Sequence, residues 1–142
     1  MNSQRGFSLI EALIALVVLS IGLIGVAAMQ LKALQSANAG YQRSLASVTA
    51  VDAQERLWAQ LVTLNTGETC EDIDSSAVEE EWKDDWFTDS DQNPLRNAKK
   101  GESSIVRDSG EDKCRFNVIL VLGDDENDEL DYTFRLPRLE VQ

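Results

Sequence analysis

The chain has no histidine, only two cysteines and only two prolines in its 142 residues. Without histidine there is no imidazole base, no Cys-His or Ser-His nucleophile pair and no histidine-containing zinc site. The sequence also shows no glycine-rich nucleotide loop and no cluster of metal-ligating residues. These absences predict a protein that is not an enzyme and needs no cofactor.

Positive charge is scarce as well. The chain has 13 basic residues against 25 acidic residues, a formal net charge of -12, and its longest basic cluster is Lys99-Lys100. Affinity for nucleic acid depends on Lys and Arg side chains that displace counterions, so we exclude nucleic acid as a partner. The carboxylates are concentrated in two stretches, with eleven in 68–91 and six in 124–131.

One long segment near the N-terminus lacks charge altogether. Ala12 to Met29 is an uncharged run of 18 residues. Counted from Phe7, the apolar segment forms a helix of ~34 Å, enough for a hydrocarbon core of about 30 Å. Arg5 and the chain amine precede it and favour a cytoplasmic N-terminus, although Lys32 follows the span, so charge alone leaves the orientation open.

Three interpretations fit this segment. The first is an uncleaved single-pass anchor. The second is a secretory signal peptide with Val26-Ala27-Ala28 as its small-residue cleavage site. The third is a segment in which Glu11 has a special role. An ionised carboxylate costs about 2.5 to 3.5 kcal/mol at the bilayer centre, and intramembrane charges usually have a specific partner. The first two interpretations leave Glu11 unexplained, whereas the third requires a positive charge beside it.

The stretch Arg5-Gly6-Phe7-Ser8-Leu9-Ile10-Glu11 resembles the cleavage and methylation motif of type IV prepilins. The resemblance implies that prepilin peptidase cleaves after Gly6 and N-methylates Phe7. Cleavage there creates a cationic amine four residues before Glu11, on the same helix face. In that family the glutamate neutralises the terminal amine of a neighbouring subunit, which implies the same charge-pairing role in assembly for Glu11.

The residues that follow resemble one subfamily more narrowly. Ser20-Ile21-Gly22-Leu23-Ile24-Gly25 is similar to the minor pilins called PilV, which prime or cap type IV pilus assembly. The implied partners are prepilin peptidase, the inner membrane, and other minor and major pilins that contact the N-terminal helix. The resemblance further implies a single-pass inner-membrane protein with a periplasmic domain, later incorporated into an extracellular pilus. Type II secretion pseudopilins share the motif and the helix and are the main alternative.

The remainder of the chain predicts an α+β domain. A proline-free helix is expected from Phe7 to about Leu64, followed by a short helix over 76–87 capped by Ser75 or Ser76, with its tryptophans buried. Strands are expected at 104–107, 115–122 and 130–136, the last two as a hairpin. The predicted fold class is a pilin-like fold, in which a long N-terminal helix with a membrane-spanning first half packs on a small antiparallel sheet. The predicted divisions are a leader over 1–6, a membrane half over 7–29 and a periplasmic domain over 30–142.

Large apolar residues mark the face of the long helix that is expected to meet the sheet. They recur at helical spacing and are Tyr41, Leu45, Val48, Val51, Trp58, Leu61 and Val62. The pattern predicts that this stripe faces the sheet.

Cys70 and Cys114 are the only cysteines. Outside the cytoplasm such a pair is expected to oxidise, and the disulfide would close a loop of about 45 residues and contribute roughly 4 kcal/mol.

Two features leave a surface binding module open as another alternative. Trp82 and Trp86 could form an exposed ligand site, and the acidic loop 123–129 could collect oxygen ligands around calcium, although it lacks the EF-hand register.

Overall fold

The structure is a computed structural model that describes residues 8–88, 90, 93–95, 97–124 and 128–138. The elements are α1 (Leu9–Thr63), α2 (Ser75–Trp86), β1 (Ser104–Arg107), β2 (Arg115–Val121) and β3 (Glu129–Arg135). A long N-terminal helix and a small antiparallel sheet confirm the predicted α+β class. The chain forms two compact units, Met1–Ala39 and Gly40–Gln142.

The first unit consists, in its described part, of the apolar portion of α1. It contains no proline, and its leucines and alanines are good helix formers. Ser20 lies within this apolar portion, and its hydroxyl donates to the carbonyl of Leu16 at 2.7 Å. The one hydroxyl of the uncharged run therefore has its hydrogen bond inside the helix.

In the second unit, the face of α1 that enters the core carries mostly small side chains. The buried residues recur at steps of three and four and are Ala46, Thr49, Ala50, Ala53, Leu57 and Leu61. The alanines and leucines among them join one core with Phe116, Val118 and Leu120 of β2. Because alanine side chains are short, α1 can approach its neighbours closely along this face.

The predicted stripe of large apolar residues is therefore mostly wrong. Tyr41, Val48, Val51 and Val62 are exposed, with 55%, 57%, 45% and 74% of their surface accessible. Leu45 and Trp58 are partly buried at the edge of the core, and only Leu61 lies inside it. The pattern of large residues failed because alanine, which adds little to a hydrophobic stripe, occupies three of the six buried positions.

The sheet has the strand order β1-β2-β3, with both pairs antiparallel. Cross-strand partners include Ile105 with Val118, and Phe116 with Phe134. The rings of Phe116 and Phe134 stack at a centroid distance of 5.8 Å. Burial alternates along β2, as expected for a sheet with one face on the core. The predicted hairpin of the last two strands is confirmed, with strand ends shifted by one residue.

Helix α2 packs beside α1. The predicted serine cap is wrong, since Asp74 caps the helix by accepting from the backbone N–H groups of Ser76 and Ala77 at 3.1 and 3.3 Å. A carboxylate at this position also interacts favourably with the helix dipole. Trp82 is fully buried, as predicted, and its indole N–H donates to the carbonyl of Thr49 at 3.0 Å. This hydrogen bond ties α2 to the alanine-rich face of α1.

Candidate functional site

The N-terminal motif leads directly into α1. Gly6 and Phe7 lie outside the described residues. The carbonyl of Ser8 accepts from the backbone N–H groups of Glu11 and Ala12 at 3.0 and 3.2 Å, which forms the first turn. Glu11 lies in this turn and is exposed, so its negative charge is close to the positive end of the helix dipole. The structure thus presents the motif's glutamate on the helix surface at the start of α1.

The apolar half of α1 is exposed in the part of the chain that the structure describes. In the described part of the chain, α1 is the helix that is long and apolar enough to cross a membrane, judged by length and composition. Its large apolar side chains are exposed, from 53% for Val26 to 85% for Leu9. Apolar surface in water costs roughly 25 cal/mol per Å². Lipid or the apolar helices of other proteins are therefore the surroundings in which this surface is stable.

Two glycines add a local feature to this surface. A Cβ atom placed at Gly22 or Gly25 would meet no atom within 4 Å. Because glycine has no side chain, the helix surface is shallower at these two positions. Small residues allow two membrane helices to approach closely. This part of α1 therefore has the small residues that permit close approach of another helix.

The comparison with protein families bears on the same residues. Residues 1–27 match the family model described as the prokaryotic N-terminal methylation motif. This match supports a protein of the type IV pilin family. No curated protein and no solved structure matches the chain. The motif implies processing by prepilin peptidase and assembly with other pilins. Together with the apolar helix, it fits membrane anchoring and pilus incorporation.

The two cysteines form a disulfide in the second unit, as predicted. The Cα atoms of Cys70 and Cys114 are 5.3 Å apart, and both residues are buried. The bond joins the connection after α1 to the residue that precedes β2, across a sequence separation of 44. This bond anchors the acidic connection to the sheet.

The tryptophans do not form the alternative ligand site. Trp82 is completely buried, so it offers no surface to a ligand. Trp86 is partly buried, and its indole N–H donates to the Asp52 carboxylate at 2.8 Å. The hypothesis of an exposed tryptophan platform is therefore wrong, because both indole groups hold α2 on α1.

The acidic hairpin loop is the other alternative site. Its residues 125–127 lie outside the described part. At its start, the Asp124 carboxylate pairs with the Lys99 ammonium at 2.7 Å. The hydrogen bond from Lys99 lowers the pKa of Asp124. In the described residues, no three acidic or cysteine side chains lie together in a way that could hold a metal ion.

Sequence reasoning missed an ion-pair cluster between the two helices. The Arg56 guanidinium contacts the carboxylates of Asp52 and Asp85, each at 2.7 Å. Burial lowers the pKa of Arg56, but the hydrogen bonds with Asp85 and Asp52 outweigh this effect and raise it. The spacing of four between Asp52 and Arg56 was a visible signal on one helix. Nothing local indicated Asp85, which lies on the other helix.

Proposed function

We propose that the protein is a minor pilin that enters or primes type IV pilus assembly through its N-terminal helix, after cleavage at Gly6 and N-methylation of Phe7. The observation that carries the proposal is the methylation motif at residues 1–27, followed by a helix whose apolar side chains are exposed. The similarity of residues 20–25 to PilV favours a minor pilin that acts with other minor and major pilins.

The proposed organisation follows from the same features. Residues 1–6 are the leader, 7–29 the membrane half of the helix and 30–142 the periplasmic domain. The leader stays in the cytoplasm, where Arg5 favours its retention. The oxidised pair Cys70 and Cys114 supports a location of the second unit outside the cytoplasm, where disulfides persist.

The proposed chemistry explains why an acidic residue begins an apolar helix. Cleavage after Gly6 releases the amine of Phe7, and methylation keeps its positive charge. In the assembled pilus the Glu11 carboxylate of one subunit neutralises the terminal amine of its neighbour. Since an unpaired charge is costly in an apolar surrounding, this pairing favours one register between neighbouring helices.

Mass spectrometry of the membrane-extracted protein tests the processing. The expected N-terminal residue is N-methylated Phe7, and a strain without prepilin peptidase should retain the six leader residues. Gly6→Val should also retain the leader, because a branched side chain at the cleavage site hinders entry of the bond into the peptidase. Protein that begins at Met1 in the wild-type strain, or beyond Ala27, would refute the prepilin proposal.

Glu11 provides the test of assembly. Glu11→Ala should leave cleavage unchanged and reduce the amount of protein in sheared pili more than tenfold, since an unpaired charge costs about 2.5 to 3.5 kcal/mol at the bilayer centre. Glu11→Asp is the matched control and should retain most of the incorporation because it keeps the carboxylate. Quantitative immunoblots of the sheared and cellular fractions give the ratio of pilus-incorporated to cellular protein for each variant. Equal incorporation of the wild type and Glu11→Ala would contradict the charge-pairing role.

The motif and the leading helix are shared with the pseudopilins of type II secretion, which remain the second candidate. Deletion of the gene distinguishes the two functions. Loss of surface pili with normal protein secretion supports the minor pilin. Loss of secretion with normal pili supports the pseudopilin instead.

A further inference from the structure

One arginine side chain holds both segments that carry the cysteines. Nη1 of Arg107 donates to the carbonyl of Cys70 at 2.9 Å and to the carbonyl of Lys113 at 2.7 Å. Nη2 donates to the carbonyl of Ile73 at 2.6 Å. All three acceptors are backbone oxygens, two from the connection around Cys70 and one from the residue before Cys114. The guanidinium therefore bridges the two segments independently of the S–S bond.

The sheet fixes the position of this guanidinium. Arg107 is the last residue of β1 and is the cross-strand partner of Phe116. Its guanidinium carbon lies 4.7 Å from the centroid of the Phe116 ring, which is fully buried. Such stacking restricts a flexible arginine side chain. In the described residues no carboxylate lies within ion-pair distance of Arg107, so its donors are directed to the three carbonyls.

We propose that Arg107 is a positioning residue for disulfide formation. It docks the connection around Cys70 on the sheet while both cysteines are still thiols, so that the Cys70 thiol lies beside the Cys114 thiol before oxidation. The disulfide then fixes an arrangement that the guanidinium has already made. This inference goes beyond the proposed function and does not depend on it.

The oxidant is a disulfide donor such as oxidised glutathione. One protein thiolate attacks the donor disulfide, which forms a mixed disulfide and releases one donor thiolate. The second protein thiolate attacks the protein sulfur of the mixed disulfide and releases the other donor thiolate. Two protein thiols are oxidised, two donor thiolates are formed, and the two protons pass to solvent or to those thiolates. Docking accelerates the second, ring-closing attack, because it holds the two sulfurs close together.

Redox equilibrium with glutathione measures this effect as the effective concentration of the two thiols. The full-length chain, purified in detergent and reduced, is equilibrated with mixtures of reduced and oxidised glutathione, quenched with acid and analysed by mass spectrometry. Arg107→Gln should lower the effective concentration at least tenfold. Arg107→Lys, which keeps the charge but loses the forked geometry, should fall between Arg107→Gln and the wild type.

Arg115→Gln is the matched control. Arg115 is adjacent to Cys114 in the chain, but its guanidinium contacts the Asp108 carboxylate at 3.3 Å. The effective concentration in this variant should stay within twofold of the wild type. If Arg107→Gln and Arg115→Gln give equal effective concentrations, the proposal is overturned.

Hydrogen exchange separates positioning from a general loss of stability. The turn around Cys70 contains the backbone hydrogen bond from Asp72 N–H to the Thr69 carbonyl at 2.9 Å. In the reduced wild-type protein the Asp72 amide should remain protected, and in Arg107→Gln it should lose protection in the reduced form only. A merely structural role would weaken protection equally in the reduced and oxidised forms. If Arg107→Gln does not fold, the reduced wild-type protein still tests the proposal. A protected Asp72 amide in the reduced wild type supports docking before oxidation, and an unprotected amide would overturn the proposal.

Discussion

Two neighbouring residues of α1 distinguish the observed core face from the face that large apolar residues indicated. Ala50 is completely buried, whereas Val51 has 45% of its surface exposed. Ala50→Leu adds three carbons to a packed site, and such overpacking typically costs 1 to 3 kcal/mol. Val51→Ser changes an exposed side chain and should alter the free energy of unfolding by less than about 0.5 kcal/mol. If Val51 faced the sheet instead, Val51→Ser would destabilise the domain more than Ala50→Leu.

The fragment Gly40–Gln142 suits this measurement, because it is a compact unit that contains every buried side chain of the described residues. For a domain of about 100 residues, a loss of about 2 kcal/mol lowers Tm by roughly 8 °C or more. Thermal unfolding followed by far-ultraviolet circular dichroism gives Tm, and urea unfolding gives the free energy of unfolding. Val51→Leu controls for the introduction of leucine itself. A larger loss of stability in Val51→Ser than in Ala50→Leu would refute the assignment of the alanine-rich face to the core.

Two further predictions concern charged groups. Asp52 accepts hydrogen bonds from both Arg56 and Trp86, so Asp52→Ala should lower the urea midpoint by an amount equivalent to about 1 to 2 kcal/mol, and an unchanged midpoint would contradict its role in joining the helices. Lys99 lowers the pKa of Asp124, so their interaction stabilises the fold above the unfolded pKa of 3.8 and is lost as the pH falls through the lower folded value. Lys99→Met should return the carboxyl titration to about 3.8 by NMR, whereas an unchanged titration would show that Lys99 is not the cause.

The strands were predictable because their signals are local. β2 is rich in branched apolar residues and β3 alternates apolar with polar residues, and these two patterns indicated both strands and the hairpin between them. The start of α2 was less predictable. Several short polar residues precede that helix, and only the backbone geometry shows that Asp74, rather than Ser75 or Ser76, reaches the free N–H groups.

The N-terminal motif, the long apolar helix and the identity of the cysteine pair could be predicted from the sequence alone. The motif and the helix depend on residue types at fixed spacing along the chain. The cysteine pair follows because the chain has only two cysteines. The tertiary structure was needed to show which face of α1 is buried, because the small side chains of Ala46, Ala50 and Ala53 lie where the helix packs closely against its neighbours. It also decided that Arg107 reaches the two cysteine-bearing segments. Cys70 is 37 residues from Arg107 in the chain, and the sheet brings them together.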